Sequence, residues 1–459
     1  MTSERPSAEI RREPRVALPL LLGMLTAGLL AGGLPLEAQG GTRLPNIVFI
    51  LSDNQRWDFM GCAGHPFVET PHLDRLAREG ILFSNAFVTT SLCSPSRASF
   101  LTGQTARTHG VKDNLTPWND ENVTFLEVLG QGGYETAFIG KWHMPGPLPR
   151  LRGVDLFVTF TVGKGQGRYF DCPLVVNGIE TPSRKPYITE ELTDYALDFL
   201  SKPREGPFCL VLSHKAVHHP WHPPPDLAGL YGNETPPFPR EYNPLVFITG
   251  GNLFEGLIGL PEELYRDYAR VVTSLDREVG RLLERIDRLG MADRTIVVFA
   301  SDNGFFWGEH QRAGTGRWPY EESIRIPFIV RAPGIVDKPG RRAEQMILNI
   351  DLAPSLLEMA GLPIPDGMEG ESFVPVLKSR SAPGRKAWLY EYFRDFPFRV
   401  PSTRAVRTEK HVYIEFEGRR GPELYDLEND PLQSRNLIDT EEGKRVASEL
   451  KKILESPKE

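Results

Sequence analysis

Four groups of polar residues in this sequence each follow an apolar run that is typical of a buried strand. The groups are Asp53-Asn54, Lys141 with His143, His214 with His218, and Asp302-Asn303. Taken singly, each group fits an ordinary turn or helix cap. Ligands of open α/β sheets, however, bind beyond the carboxyl ends of the strands. Four such groups therefore predict one functional site at that edge of a sheet.

The residue types in these groups indicate a particular chemistry. The two Asp-Asn pairs offer only oxygen ligands, which suit a hard cation such as Ca²⁺ or Mg²⁺. Lys141, together with Arg97, supplies fixed positive charge for an anionic group. His143 and His218 can move protons near neutral pH. The set predicts a metal-assisted site for a sulfate or phosphate group.

Cys93 lies in the stretch SLCSPSRASFLTG, between a β-like run and the first turn of a predicted helix. Because the N-terminus of a helix favours anions, this position suits a nucleophile that meets an anionic group. No pair among the four cysteines has the spacing of a zinc site. A disulfide among the other three, Cys62, Cys172 and Cys209, stays open from the sequence.

The elements that must position these residues alternate between strands and helices, which predicts an α/β fold with a large, mostly parallel sheet flanked by helices. A helix is predicted after Thr70 as N-cap, with Pro71 first and Gly80 as the stop. The longest predicted helix runs from about Pro261 to Gly290. Its buried stripe is predicted to be Leu264, Tyr268, Val271, Leu275, Val279, Leu282, Ile286 and Leu289.

Three parts of the chain differ in pattern. Residues 1–40 carry Arg11, Arg12 and Arg15 before an apolar run, which predicts a secretory signal and an exported protein, periplasmic or extracellular. An uncleaved membrane anchor is the alternative; with cleavage, no stable membrane insertion is expected. Residues 41–377 are predicted to form the catalytic domain and 378–459 a small α+β subdomain. The net charge of −7 over 459 residues, with no basic stripe, argues against a nucleic-acid partner.

The stretch CSPSRASFLTG is similar to the signature of the formylglycine-dependent sulfatases of the alkaline phosphatase superfamily, which is Cys-x-Pro-x-Arg, an apolar residue and Thr-Gly. The resemblance covers nearly the whole chain after the signal. It rests on further segments in the family's order: SDNQRWD, TPHLDRLAREGILFSNAF, GKWH, SDNGFFWGEH, YEESIRIPFIVR, IDLAPSLLEMAG and ELYDLENDPLQSRNL. GQGRYFDCPLVVNG, SHKAVHHPWHPPP and YEYFRDF resemble the glycan-acting branch, including N-acetylglucosamine-6-sulfatase-like enzymes.

This resemblance implies a role for each candidate residue. A separate maturation enzyme would oxidise Cys93 to Cα-formylglycine, whose hydrate is the nucleophile. Ca²⁺, or Mg²⁺, would be held by Asp53, Asn54, Cys93, Asp302 and Asn303. The implied catalytic residues are Cys93, Arg97, Lys141, His143 and His218. The implied substrate is a sulfate monoester on a sulfated carbohydrate.

Two positions depart from the family pattern. Asn54 stands where the family often has aspartate, which removes a negative charge from the metal site. Gly316 stands where a lysine would contact sulfate, and Arg312 or Arg317 is a candidate replacement for that charge. Since arginine is a poor proton donor, the general-acid role falls to His218.

The sequence is also compatible with other activities. A phosphodiesterase or phosphonate monoester hydrolase of the same superfamily is one alternative, and a catalytically impaired glycan-binding homologue is another. The aromatic residues that are candidates for stacking on sugar rings are Trp221, Trp318, Tyr390 and Tyr392, although aromatic side chains of this kind more often belong to the core.

Overall fold

Strand β1 (Asn46–Ser52) lies at the centre of a ten-stranded sheet within the described residues. The structure is a computed structural model that describes residues 44–239, 242–246, 259–395 and 397–456. The predicted signal, residues 1–40, lies outside this range. Among the described helices, none has both the length and the apolar character needed to cross a membrane.

The strands and helices alternate along the chain, as the sequence predicts. The strands are β1 (Asn46–Ser52), β2 (Ile81–Phe83), β3 (Ala86–Phe87), β4 (Glu135–Gly140), β5 (Leu156–Thr159), β6 (Leu174–Val176), β7 (Ile179–Thr181), β8 (Phe208–Ser213), β9 (Thr295–Ser301), β10 (Phe305–Trp307), β11 (Ala313–Thr315), β12 (Phe328–Arg331), β13 (Arg341–Ala343), β14 (Ile347–Leu348), β15 (Ala387–Tyr392), β16 (Thr403–Thr408), β17 (His411–Phe416) and β18 (Glu423–Asp426). The α-helices are α1 (Pro71–Glu79), α2 (Cys93–Thr102), α3 (Ala106–His109), α4 (Phe125–Gln131), α5 (Val162–Gly165), α6 (Ile188–Ser201), α7 (Pro261–Arg288), α8 (Glu321–Ile324), α9 (Leu352–Met359), α10 (Val374–Lys378) and α11 (Glu441–Glu455).

The large sheet has the order β13-β2-β12-β9-β1-β8-β4-β5-β6-β7. Its centre, β9-β1-β8-β4-β5, is parallel, whereas β12, β6 and β7 pair antiparallel with their neighbours. In the register of the central strands, Phe49 lies between Val211 and Val298. The mostly parallel α/β fold predicted from the sequence is therefore confirmed.

Helices cover both faces of the sheet, because alternate side chains of each strand point to opposite sides. One hydrophobic core includes Val48, Ile50, Leu73, Phe199 and Val272, from β1, α1, α6 and α7. The other includes Ile47, Phe49, Phe100, Leu126 and Leu356, from β1, α2, α4 and α9. Strand β1 is thus buried on both sides, and its polar end can face a site only beyond its last residue.

The helix predictions hold with one exception. Helix α1 has Thr70 as N-cap, Pro71 as its first residue and Gly80 as C-cap. Helix α7 ends at Arg288, so Leu289 falls outside the buried stripe and is 41% exposed. The prediction that Leu289 belongs to the core was wrong because the helix stops before the stripe reaches that position.

The C-terminal region forms the small antiparallel sheet that the sequence predicts. Its order is β15-β16-β17-β18. Helix α11 packs against this sheet through Leu450 and Leu454, which share a core with Val406 and Tyr413. The division of the chain at residues 377 and 378 stays a prediction.

Candidate active site

The four polar groups singled out in the sequence lie together at one edge of the large sheet. They follow β9, β1, β8 and β4, which are adjacent parallel strands. Helix α2 begins at the same edge with Cys93 as its first residue. Residues from five separate stretches of chain therefore converge because parallel strands end on the same side of a sheet.

The two Asp-Asn pairs face each other across the strand pair β1–β9. The backbone N–H of Asn54 donates to Oδ1 of Asp302 at 2.9 Å. The Nδ2 atom of Asn303 donates to Oδ1 of Asn54 at 2.8 Å. All four side chains, counting Asp53, are fully buried. The pairs form one buried cluster of carboxylate and amide oxygens.

This cluster has the donor set of a site for a hard cation. The Oδ1 atom of Asn303 is buried and has no hydrogen-bond partner among the described residues. Burial and the adjacent negative charge of Asp53 raise the pKa of Asp302, because a second carboxylate charge is unfavourable in a buried site that already holds one. A divalent cation bound here would be coordinated by the unpaired amide oxygen of Asn303 and would offset the negative charges of Asp53 and Asp302. The residues present therefore fit the metal that the sequence predicts.

Two buried cations balance the carboxylates. The Arg97 guanidinium contacts Oδ2 of Asp302 at 2.8 Å and donates to the Oγ atom of Ser213 at 2.6 Å. The Nζ atom of Lys141 forms an ion pair with Asp53. Both cations are almost entirely buried, with side chains 3% and 0% exposed. The Arg97 guanidinium also donates to the carbonyl oxygen of Lys141 at 3.1 Å, so the two cations are held in place and give the site fixed positive charge.

Cys93 sits within reach of the oxygen cluster. Its Sγ atom lies 3.8 Å from Oδ1 of Asp53 and 3.8 Å from Oδ1 of Asn54. Burial raises the pKa of the Cys93 thiol far above its usual range, so the thiol stays protonated. Cys93 and the other three cysteines are free thiols in the structure. An unmodified Cys93 is consequently a poor nucleophile.

The two predicted histidines border the same cluster. One ligand atom from each of His218, Asp53 and Cys93 lies within 4.8 Å of the others. The Oγ atom of Ser94 lies 3.3 Å from Nδ1 of His143. Burial, reinforced by the charge of Lys141, lowers the pKa values of both histidines well below the usual range. Both are therefore neutral in the protein alone.

Each histidine has one ring nitrogen already engaged. Nδ1 of His218 is hydrogen-bonded to the carbonyl oxygen of His219, and a carbonyl can only accept, so Nδ1 carries the proton. Nε2 is then the atom left for proton transfer. His219 stacks on His218 with ring centres 4.3 Å apart and is buried, whereas His222 is exposed.

Three further polar residues near the site were not predicted from the sequence. Ser213, at the end of β8, binds Arg97 as described. The side chain of Asn114 accepts from the backbone N–H of Ser94 at 3.0 Å. Lys215 is fully buried, and its Nζ atom lies 3.6 Å from the centre of the Tyr169 ring. In the sequence, Lys215 is distinguished only by its position directly after His214, which was one of the predicted site residues.

The region around Gly316 decides between the two candidate arginines. Arg312 stacks on Trp318, with its Cζ atom 3.3 Å from the ring centre. Gly316 lies against Asn303, since a Cβ at position 316 would be 3.7 Å from the Cγ atom of that residue. Arg317 follows directly and is buried. Of the two arginines, Arg317 is the one whose backbone adjoins this part of the chain, since its N–H donates to the carbonyl oxygen of Ser91, two residues before Cys93.

The aromatic side chains predicted as candidates for sugar stacking are mostly core residues. Trp221, Tyr390 and Tyr392 are buried. Trp221 packs against Tyr268 and other aromatic rings of the core rather than against open space. One face of Trp318 is covered by Arg312, as described above. The three buried residues therefore belong to the core, which is the alternative to sugar stacking, because their rings fill the protein interior.

Comparisons with known proteins identify relatives over most of the chain. The family profile described as Sulfatase matches residues 45–362, and that described as N-sulphoglucosamine sulphohydrolase, C-terminal, matches residues 308–459. An N-acetylglucosamine-6-O-sulfatase of Bacteroides thetaiotaomicron is 30% identical, covering 90% of this chain and 86% of its own length. An ulvan-active sulfatase of Formosa agariphila is 31% identical, covering 90% and 81%.

A solved structure agrees with these relatives. It is that of a protein in complex with its substrate D-glucosamine-2-N,6-O-disulfate. The TM-score is 0.82 at 29% sequence identity, and the match covers 90% of this chain and 97% of the other. The resemblance thus extends through both the large sheet and the C-terminal region.

Proposed function

The chain belongs to the sulfatase family, and from that premise we propose that it releases sulfate from a sulfated carbohydrate by means of Cys93 oxidised to Cα-formylglycine. The reaction is hydrolysis of a sulfate monoester. The observation that carries the proposal is that the Cys93 Sγ atom lies 3.8 Å from oxygens of both Asp53 and Asn54, in a thiol that burial keeps protonated. Once oxidised and hydrated, this residue would supply a hydroxyl nucleophile for attack on sulfur.

The fixed cations prepare the site for an anion. Arg97 and Lys141 are held by Asp302 and Asp53, so neither has to move when the sulfate group enters. Preorganised charge of this kind stabilises the negative charge that develops on the sulfate oxygens and on the leaving oxygen. Ser213 fixes the Arg97 side chain from a second direction.

Proton transfer to the leaving oxygen is assigned to Nε2 of His218. Its Nδ1 proton is held by the carbonyl oxygen of His219, so the ring can turn little. The sulfate group next to His218 raises the pKa of the ring, because an anion favours the charged imidazolium. Transfer of a proton at residue 93 is assigned to His143, whose Nδ1 atom lies 3.3 Å from the Oγ atom of Ser94, the next residue along the chain.

The metal is proposed to be Ca²⁺, with Mg²⁺ as the alternative. Asp53, Asn54, residue 93, Asp302 and Asn303 would hold it, and an all-oxygen donor set favours a hard cation. When bound, the cation would draw charge from the sulfate oxygens and acidify the attacking hydroxyl.

The substrate class is supported by the relatives described above, one named for N-acetylglucosamine-6-sulfate, one for ulvan, and one solved with a disulfated glucosamine. We assign a sulfated glycan or its fragments to this chain on that basis. Export and a separate maturation enzyme complete the proposal, since Cys93 has to be oxidised before the enzyme works.

Mass spectrometry of the peptide that contains Cys93 tests the proposal directly. The protein is produced together with a formylglycine-generating enzyme and assayed on aryl sulfate, aryl phosphate and aryl phosphonate esters. An aldehyde at residue 93 with preferential turnover of the sulfate ester is expected, and Cys93→Ala is expected to be inactive. An unmodified thiol in active protein would refute the mechanism. Preference for phosphate or phosphonate esters would instead favour the other hydrolases of the superfamily.

A further inference from the structure

Three consecutive backbone N–H groups, those of residues 54–56, donate to side chains from distant parts of the chain. The first of the three bonds is described above. The N–H of Gln55 donates to the Oγ atom of Ser301 at 2.8 Å, and the N–H of Arg56 donates to the hydroxyl oxygen of Tyr268 at 2.9 Å. Both hydroxyl groups belong to fully buried residues. The segment that begins with a proposed metal ligand is therefore held at each of its residues.

The hydroxyl group of Tyr268 joins the two ends of this segment. Besides accepting the N–H of Arg56, it donates to the carbonyl oxygen of Asn54 at 2.8 Å, since a carbonyl can only accept. Asn54 has a φ angle of 62°, a left-handed conformation that a residue with a side chain keeps only where its surroundings hold it there. The two hydrogen bonds thus fix the turn from which the Asn54 side chain reaches Asn303.

The hydroxyl group of Ser301 makes a second bridge of the same kind. It accepts the N–H of Gln55 and donates to the carbonyl oxygen of Asn303 at 3.0 Å. It therefore connects the segment 54–56 to the second Asp-Asn pair. Loss of either hydroxyl group would leave a buried N–H and a buried carbonyl without their partner.

The position of the Tyr268 ring does not depend on its hydroxyl group. Tyr268 lies in helix α7 and belongs to the buried stripe predicted from the sequence. Its ring centre lies 4.6 Å from that of Phe59 and 5.4 Å from that of Trp307. Phenylalanine would fill the same space. Among the described residues, the hydroxyl group forms hydrogen bonds only with the backbone of the segment 54–56.

Resting on the function proposed above, we propose that Tyr268 and Ser301 are positioning residues of the metal site. Their hydroxyl groups hold the backbone of residues 54–56 in the conformation that presents the Asn54 side chain to the cation. Groups behind a metal ligand raise affinity because the ligand is already oriented when the ion binds. Tyr268 is 214 residues away from Asn54 along the chain, so helix α7 contributes to the site without supplying a ligand.

Calorimetric titration of Ca²⁺ into chelator-treated, matured protein tests this inference, with thermal unfolding as the second readout. Tyr268→Phe is expected to weaken Ca²⁺ binding by about 10-fold or more, as is typical when a group behind a metal ligand is removed. Ser301→Ala is expected to weaken it to a similar extent. Both variants keep every proposed ligand, so a lower affinity would reflect the arrangement of the ligands.

Each variant has a matched control. Tyr265 lies one turn earlier in helix α7 and is also buried, but its hydroxyl oxygen lies 3.0 Å from Nε2 of His65. Ser52, like Ser301, directly precedes an aspartate of the cluster, but its Oγ atom donates to the carbonyl oxygen of Ala300 within the sheet. Tyr265→Phe and Ser52→Ala are expected to bind Ca²⁺ as the wild type does, whatever their thermal stability.

The inference is overturned if Tyr268→Phe and Ser301→Ala lose thermal stability yet bind Ca²⁺ as tightly as wild type, since the hydroxyl groups would then serve only the fold. It is also overturned if the controls lose as much affinity as the test variants. Should Tyr268→Phe fail to fold, the comparison of Ser301→Ala with Ser52→Ala decides in the same way.

The titration separates this inference from the proposed function because it requires no turnover. A wild type that binds Ca²⁺ with an affinity dependent on Tyr268, but cleaves no sulfate ester, would refute the function and support the inference. A wild type that cleaves sulfate esters, together with a Tyr268→Phe variant of unchanged Ca²⁺ affinity, would do the reverse.

Discussion

Gly316 and Ser91 are in direct backbone contact: a Cβ at position 316 would lie 2.1 Å from the carbonyl oxygen of Ser91. The same oxygen accepts the N–H of Arg317 at 2.7 Å. Gly316 also has a φ angle of 31°, a region that residues with a side chain rarely adopt. The backbone conformation at position 316 and its contact with Ser91 therefore exclude a lysine side chain there.

Restoring a side chain at position 316 is expected to harm the enzyme. Gly316→Lys and Gly316→Ala would push the Ser91 carbonyl away from Arg317, and overpacking against backbone costs about 1–3 kcal/mol of unfolding free energy. Neither variant is expected to exceed wild-type activity. Urea denaturation and aryl sulfate turnover measure both effects. Gly418→Ala is the control, because Gly418 also has a positive φ but no atom close to the added Cβ. Higher activity in Gly316→Lys would contradict this account.

Asn54→Asp is expected to bind Ca²⁺ about 10-fold more tightly than wild type, because an added carboxylate raises the ligand charge of the site. The Nδ2 atom of Asn54 has no hydrogen-bond partner among the described residues, so exchanging it for oxygen breaks no bond. Titration of Ca²⁺ into chelator-treated protein measures the affinity. Asn119→Asp, an added charge at an exposed position, controls for net charge. Equal affinities of wild type and Asn54→Asp would show that residue 54 is not a ligand.

Arg97→Lys is expected to destabilise the fold by about 1–3 kcal/mol, because lysine keeps the buried charge but cannot reproduce the contacts of the guanidinium with both Asp302 and Ser213. Measuring this in unmatured protein avoids any effect on the oxidation of Cys93. Arg288→Lys is the comparison, since the Arg288–Glu284 pair is largely exposed and its loss is expected to change stability by less than about 1 kcal/mol. Similar losses of unfolding free energy in the two variants would show that the buried contacts of Arg97 do not stabilise the fold more than an exposed ion pair does.

Asp276 is expected to make the stability of the protein depend on pH. It is buried, it accepts from the N–H groups of His72 and Leu73, and burial raises its pKa to about 7. Because the folded-state pKa is above that of the unfolded chain, this carboxyl group stabilises the fold most below about pH 4. Its contribution declines as pH rises towards 7, with a slope of at most about 1.4 kcal/mol per pH unit.

Asp276→Asn removes this titration. The stability of the variant minus that of the wild type is expected to increase from pH 5 to pH 8. The loss of an acceptor oxygen changes this difference equally at both pH values and does not affect the trend. Urea midpoints of both proteins at the two pH values give the difference. Asp226→Asn, at an exposed ion pair, is the control. The prediction would be contradicted if the difference in urea midpoint between wild type and Asp276→Asn were the same at both pH values.

The sequence predicted the fold from local signals that survive in the structure. Apolar runs such as that ending at Ser52 predicted buried strands, and Pro71 and Gly80 predicted the limits of a helix. The carboxyl-end rule then placed Asp53 and Asp302 at one edge without any knowledge of their distance. These predictions succeeded because periodicity, caps and strand direction are properties of neighbouring residues.

Other features depended on residues that lie far apart in the chain. Trp221 and Tyr390 have the types expected of sugar-binding residues, and only their packing shows that they are buried. Leu289 fits the helical stripe, but the end of helix α7 leaves it exposed. Burial depends on which elements pack together, and a single sequence does not contain that information.

By itself, the sequence determined the kind of chemistry, through Cys93 with its flanking motif and through the acids and amides at the strand ends. Only the tertiary structure decided which of two nearby arginines has its backbone bound to the segment just before Cys93. Arg312 and Arg317 are close in sequence and alike in chemistry. The difference arises because Ser91 and Asp395, from distant segments, bind the backbone and side chain of Arg317, and contacts of that range form only when the chain folds.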